Sequence, residues 1–132
     1  MLNEEERPVV RDVRFTPEFK RNLRQLAKKY RRIRSDIQPI IDTLLSGELP
    51  GDRLQGVGFD VYKVRVRNSD VQRGKSGGYR IIYYLPTETS IVLITLYSKM
   101  EQQDIEVREI RIILQELASF TADQEEESEG ST

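Results

Sequence analysis

Apolar and polar positions alternate along VVRDVRF, residues 9–15, closely enough to predict a strand. Phe19, Leu23, Leu26, Ala27 and Tyr30 then recur at helical spacing. Thr16 stands where its hydroxyl can cap that helix, and Pro17 falls at the first helical position, where its missing N–H costs nothing. A second helical run starts near Ser35 and carries Ile37, Ile40, Ile41, Leu44 and Leu45 before Gly47 stops it. Pro39 is expected in or near its first turn, because deeper inside it would break the helix. These two helices form a hairpin with an apolar side to bury.

LPGDRLQGVG, residues 49–58, is expected to be a loop. Three strand candidates follow: FDVYKVRVR (59–67), GYRIIYYL (78–85) and SIVLITLYSK (90–99), the last two joined by the short turn PTET. A final helix over about 103–118 places Val107, Ile110, Ile113, Leu114 and Leu117 on one side. The order β-α-α-β-β-β-α predicts a single α+β domain: an antiparallel sheet with the helical hairpin on one face, and a C-terminal helix.

Strand alternation puts Lys63, Arg65 and Arg67 on the face opposite Tyr62, Val64 and Val66. It likewise groups Arg80, Ile82 and Tyr84, and in the last strand Thr95, Tyr97 and Lys99. If Arg80 lies beside Arg65, an open face collects Lys63, Arg65, Arg67, Arg80 and Lys99, with Tyr84 and Tyr97 among them. Like charges on adjacent strands repel, so such a face suits a visiting anion. The alternative is that these side chains splay into water or pair with Glu101, Asp104 and Glu106.

Charge sharpens the picture. Eight of the 22 acids lie in residues 1–6 and 121–132, which contain no Lys or Arg, so 14 acids face 21 basic residues over 7–120. Residues 7–120 thus carry an excess of seven positive charges, and a folded domain is expected over residues 8–120 between an acidic arm (1–7) and a tail (121–132) too polar to pack. A cationic body favours polyanions. No stretch is long and apolar enough for a membrane span and the first residues lack the pattern of a secretory signal, so a cytoplasmic location is expected. The chain has no Cys and no His. Zinc–cysteine sites, thiolate nucleophiles and histidine general bases are thereby excluded, and neither a metal nor a cofactor is expected.

RGKSGGYRIIYY, residues 73–84, superficially suggests a phosphate-binding loop. The Walker pattern needs a glycine where Ser69 stands and a helix after the loop, whereas this segment enters a strand. A basic hairpin loop, NSDVQRGKSGG, fits better; Arg73 and Lys75 could reach RNA from it, or it is simply a connecting loop. Cations without histidine do suit one reaction, cleavage of RNA by its own 2′-OH, which needs a proton acceptor, cations around the crowded phosphate and an acid for the leaving 5′ oxygen. Lys63, crowded by arginines, is the candidate base; Arg65 and Arg80 can hold the phosphate with their planar forks.

FTPEFKRNLRQLAKK, VYKVRVR, GGYRIIYY and LITLYSKMEQQDI, in this order, resemble the RelE/ParE superfamily of bacterial toxins, closest to its HigB-type branch. The resemblance covers roughly residues 9–118. It implies the toxin of a toxin–antitoxin pair that enters the ribosomal A site and cuts mRNA, with an antitoxin from a neighbouring gene holding it silent. It implies catalytic roles for Lys63, Arg65, Arg80 and Lys99, to which the strand face and the loop add expected RNA contacts from Arg67, Arg73, Lys75, Tyr84 and Tyr97. The chain departs from the family pattern after its last strand, where Met100 follows Lys99 and Glu106 stands about where a tyrosine is usual. Two other functions fit the same resemblance: a ParE-like poison of DNA gyrase, or a catalytically weakened member that acts as a binding module.

Overall fold

A computed structural model describes residues 12–71, 77–102 and 104–130, with side chains described as far as residue 118. The elements are β1 (Asp12–Phe15), α1 (Pro17–Lys29), α2 (Ile33–Leu45), β2 (Asp52–Arg53), β3 (Val61–Val66), β4 (Tyr79–Thr87), β5 (Ser90–Ser98) and α3 (Val107–Gly130). The α+β class and the order of the long elements are as the sequence predicts. Residues 9–11 of the first strand candidate and the acidic arm lie outside the described residues.

Thr16 makes the first corner. Its hydroxyl accepts the Phe19 N–H at 3.0 Å, capping α1 ahead of Pro17, and donates to the Ile94 carbonyl at 2.6 Å. At the far end of the hairpin, Gly47 adopts φ 91° while its N–H donates to Leu44 O and that of Glu48 to Thr43 O. This paired closure needs a residue that tolerates a left-handed backbone, which is why the helix stops at the glycine. The start of α2 differs from expectation. It begins at Ile33, so Pro39 sits well inside it. The missing N–H leaves the Ser35 carbonyl without its helical donor, and because Pro39 is exposed, water can satisfy that group.

The five strands run in the order β1-β5-β4-β3-β2. β3, β4 and β5 form the expected antiparallel meander, but β1 joins β5 in parallel, so the sheet is mixed and not antiparallel throughout. The expected loop 49–58 contains β2, two residues paired with Lys63 and Tyr62. So short a strand has no periodicity to reveal it.

One face of the sheet receives the helical hairpin. Phe19, Leu26, Ile33, Ile37 and Leu44 pack with Val64, Val66, Tyr79, Ile81, Tyr83, Ile91 and Leu93. The other face is not open. Ile110 and Leu114 of α3 close over Val61, Ile82, Ile94 and Tyr97, with Val57 from the preceding loop. The face expected to be open is thus covered by α3, and the physical cause is a second apolar surface: burying side chains the size of Ile or Leu contributes about 1.5–3 kcal/mol each. α3 starts at Val107, later than predicted, and continues to Gly130 through residues that the sequence assigns to a disordered tail. Its glutamate- and glutamine-rich stretch consists of good helix formers. Among the described residues no helix is long and apolar enough to cross a membrane.

Candidate functional site

Lys63 and Arg65 project from β3 on the α3 side of the sheet, and Arg65 stands directly opposite Arg80 on β4. Arg80 in turn pairs with Tyr97 on β5. The register that the sequence leaves as a condition, Arg80 beside Arg65, is the one formed, and it places two guanidinium-bearing positions on neighbouring strands. Lys99 follows β5, its N–H donating to the Gly78 carbonyl at 2.9 Å, which holds the loop after the strand against the start of β4. At Gly78 a Cβ would fall on the Val66 carbonyl oxygen, so glycine here allows β3 and β4 to approach.

The cations surround a carboxylate. Asp104, in the segment between β5 and α3, lies 3.1 Å from the Lys99 ammonium and 3.8 Å from that of Lys63. The Tyr97 hydroxyl donates to Asp104 at 3.2 Å and accepts the Ile105 N–H at 3.4 Å. The hydrogen bond from Lys99, with the charge of Lys63, holds the Asp104 carboxyl below its usual range against the opposing effect of burial. Tyr97 is pushed up to about 12, chiefly by burial, so its phenol is a neutral donor at ordinary pH. Glu101, the other acid considered as a partner, instead accepts from Lys29 at 2.6 Å and from the Tyr30 hydroxyl.

Exposure separates the predicted site residues. Arg65 and Arg67 are exposed; Lys63 and Lys99 are half-buried, with side chains 24% and 31% accessible. Arg80 is only 4% exposed, with one guanidinium nitrogen donating to the Tyr79 carbonyl at 3.2 Å. It is thus a buried support of the site and not a residue of an open face. Tyr97 is 3% exposed and its ring packs in the α3 core, which removes it as a stacking platform for a base. Tyr84 is drawn away from the cations. Ile82 intervenes, and Tyr84 packs edge-on against Phe59 at 5.8 Å in a cleft of about 900 Å³ bordered by β1, the start of α1 and α3. Arg73 and Lys75 lie outside the described residues. Met100 and Glu106, the departures from the family pattern, are both exposed.

Sequence reasoning weighed Asp104 only as one of three acids, since nothing in the spacing of KMEQQDIE tells which one folds back. The neighbouring loop is better anchored than its composition suggests. Asp70 accepts the Arg32 N–H at 3.0 Å and Asp36 accepts that of Ser69 at 2.9 Å, tying residues 68–70 to the start of α2. Among the described residues, no group of His, Cys, Asp and Glu is placed to hold a metal ion.

A paired-arginine sheet end under a terminal helix defines a small α+β protein with an anion-facing cationic centre. The family follows from comparison: a model described as the RelE toxin of the RelE/RelB toxin–antitoxin system matches residues 18–129, and the chain belongs to this toxin family. A solved structure of a mutant of the E. coli toxin RelE in the free state is similar in fold, with a TM-score of 0.51 and 17% identity, over 79% of this chain and 96% of that one. No curated protein matches the chain.

Proposed function

We propose that the protein is a HigB-type toxin that cuts mRNA in the ribosomal A site and so inhibits translation. It would work in the cytoplasm under the control of a cognate antitoxin. The observation that carries this reading is the adjacency of Arg65 and Arg80 across β3 and β4, with Lys63 and Lys99 converging on one anion beside them.

A scissile phosphate entering this site meets Arg65 and the Lys99 ammonium from solvent, with Lys63 beside them as the neutral amine, while Arg80 supplies fixed positive charge from below. Such preorganised charge is what the crowded, doubly negative phosphorane of 2′-OH attack requires. In that reaction the 2′ oxygen loses its proton, attacks phosphorus to give a 2′,3′-cyclic phosphate, and the 5′ oxygen departs with a proton. Lys63, acting as the free amine, accepts the 2′ proton in this scheme, and solvent supplies the proton with which the 5′ oxygen departs. The RNA phosphate takes over from Asp104 as counter-ion of Lys99. The chemistry as written calls for no metal or cofactor.

The test is cleavage mapping in a purified translation system, with and without ribosomes, for the native protein, Lys63→Met and Arg65→Ala. These side chains are exposed or half-buried, so the fold persists in both. Cuts that need ribosomes and fall about a hundredfold or more in each variant, by analogy with loss of an oxyanion donor, are the expected result. Equal cutting by all three proteins would remove the site from the reaction.

Asp104, Met100 and Glu106 favour a second reading, in which a carboxylate among the cations and a glutamate in place of the usual tyrosine leave a member that binds RNA without cutting it. Ribosome binding by the native protein with no cleavage would select it.

A further inference from the structure

Much of the charge of this chain is divided between two helices that cannot meet within one molecule. Residues 17–34, which span α1, the turn after it and the start of α2, contain eight basic residues and a single acid, Glu18. All eight are exposed, and among the described residues only Lys29 is in an ion pair, with Glu101. Residues 121–132 have the reverse composition: five acids, Asp123, Glu125, Glu126, Glu127 and Glu129, and no Lys or Arg. α3 carries all five, because it runs to Gly130.

The fold holds the two regions apart. α1 packs on one face of the sheet and α3 on the other. Lys29, at the end of α1, bonds Glu101 in the segment that leads into α3, whereas Pro17, Glu18 and Arg21, at the start of α1, border the same cleft as Glu116, Leu117 and Ala118. The two helices therefore run in opposite directions. Beyond Ala118, α3 continues through residues 119–130, about 18 Å at about 1.5 Å per residue. A straight helix carries the acidic end on past the start of α1, while the basic stripe of Lys20, Arg24 and Lys28 leads towards the other end of the molecule.

Both helices also bear like charges at four-residue spacing: Lys20, Arg24 and Lys28 on α1, and Asp123 with Glu127 and Glu125 with Glu129 on α3. Such pairs destabilise a helix, and the stripe on α1 is not needed for packing, since its buried residues are Phe19 and Leu26. We propose that the acidic end of α3 docks on the cationic side of α1 in a second copy of this chain, the two copies being related by a two-fold axis so that each gives one acidic helix end and receives one. A polyanion of another kind would relieve the basic helix alone. A second copy relieves both helices in one contact. The repeats agree as well: four residues advance about 6 Å along either helix, so the charges of one stay in step with those of the other over the stripe of about 12 Å. Exposed and polar, the contact is weak and salt-dependent. It uses neither Lys63 nor Arg65, and so it stands apart from cleavage.

The test is sedimentation of the nuclease-treated full chain over a concentration series, at about 0.1 M and about 1 M salt, between which the Debye length falls from about 10 Å to about 3 Å. The native protein is compared with Lys20→Gln/Arg24→Gln/Lys28→Gln, with Glu125→Gln/Glu127→Gln/Glu129→Gln, and with an equimolar mixture of these two variants. The native chain should form dimers at the lower salt, with an association constant at least about tenfold smaller at the higher, as expected for several screened ion pairs. Each variant alone should sediment as a monomer. Their mixture should recover dimers, weaker than the native ones, because each variant keeps the half that the other lacks; that recovery also shows both to be folded. A native chain that stays monomeric, dimers that persist unchanged in about 1 M salt, or a mixture no more associated than either variant alone would overturn the proposal. So would dimers found only before nuclease treatment, which nucleic acid would be holding together.

Discussion

Replacing Asp104 by asparagine removes the one carboxylate that the described cations share while keeping its shape. Asp104 is 48% accessible, so its contacts with Lys99 at 3.1 Å and Lys63 at 3.8 Å are surface ion pairs, worth about 0.5 kcal/mol each after screening. Together they give about 1 kcal/mol, or ~4 °C in Tm for a domain of this size. The same lysines are then free for RNA, and about 1 kcal/mol of relieved competition corresponds to roughly fivefold tighter binding of a single-stranded oligonucleotide. The pH dependence has a definite sign. The folded carboxyl is held below its ordinary value of 3.8, so its ion pairs act fully at neutral and mildly acid pH and are lost as pH falls through the depressed value. The Tm gap between the native protein and Asp104→Asn should therefore be constant from pH 7 to about 5 and close below about 4. Differential scanning fluorimetry across that range, with anisotropy at pH 7, makes both measurements. Equal Tm values throughout together with unchanged RNA affinity would refute the counter-ion role. Tighter binding with cleavage lost would instead assign the proton transfer to Asp104.

Arg80→Ala should cost about 1–3 kcal/mol in urea unfolding as well as activity, because the side chain is buried; full stability would contradict its role as a support beneath the site. Gly78→Ala should destabilise by a similar amount, about 1–3 kcal/mol, since the added methyl meets the Val66 backbone, and its midpoint in the same urea titration reports it. Pro39→Ala should raise stability by about 1 kcal/mol or more through the restored helical hydrogen bond, visible as a higher Tm; a loss would mean that the proline fixes the hairpin.

How much was legible from the chain can be followed along its elements. Thr16, Pro17 and Gly47 act through local backbone chemistry and were read correctly. The opposition of Arg65 and Arg80 could only be posed as a condition, because a period of two fixes the face of each side chain and not the register across the long connection between Val66 and Tyr79. The coverage of the cationic face was missed, although β4 and β5 contained its signal: YRII and SIVLITL are apolar on both sides, the mark of strands buried on both faces. Ile82 and Ile94 made α3 necessary there, and α3 then took Tyr84 and Tyr97 out of solvent. The parallel placement of β1 was not legible either, because four residues carry no sign of direction. Asp104 lies in irregular chain, where position is set by tertiary contacts and not by a repeat.

The union of β1 with β5 also governs when the molecule can come into being. The bond from Thr16 to Ile94 closes a span of 78 positions. At about 5–20 residues per second a ribosome needs on the order of 4–16 s to synthesise that span. Until then β1 and β4 lack β5, the strand between them, so Arg80 has no Tyr97 beside it and the contact of Lys99 with Asp104 cannot form. The cationic centre is thus completed only after the strand that holds the beginning of the chain has emerged.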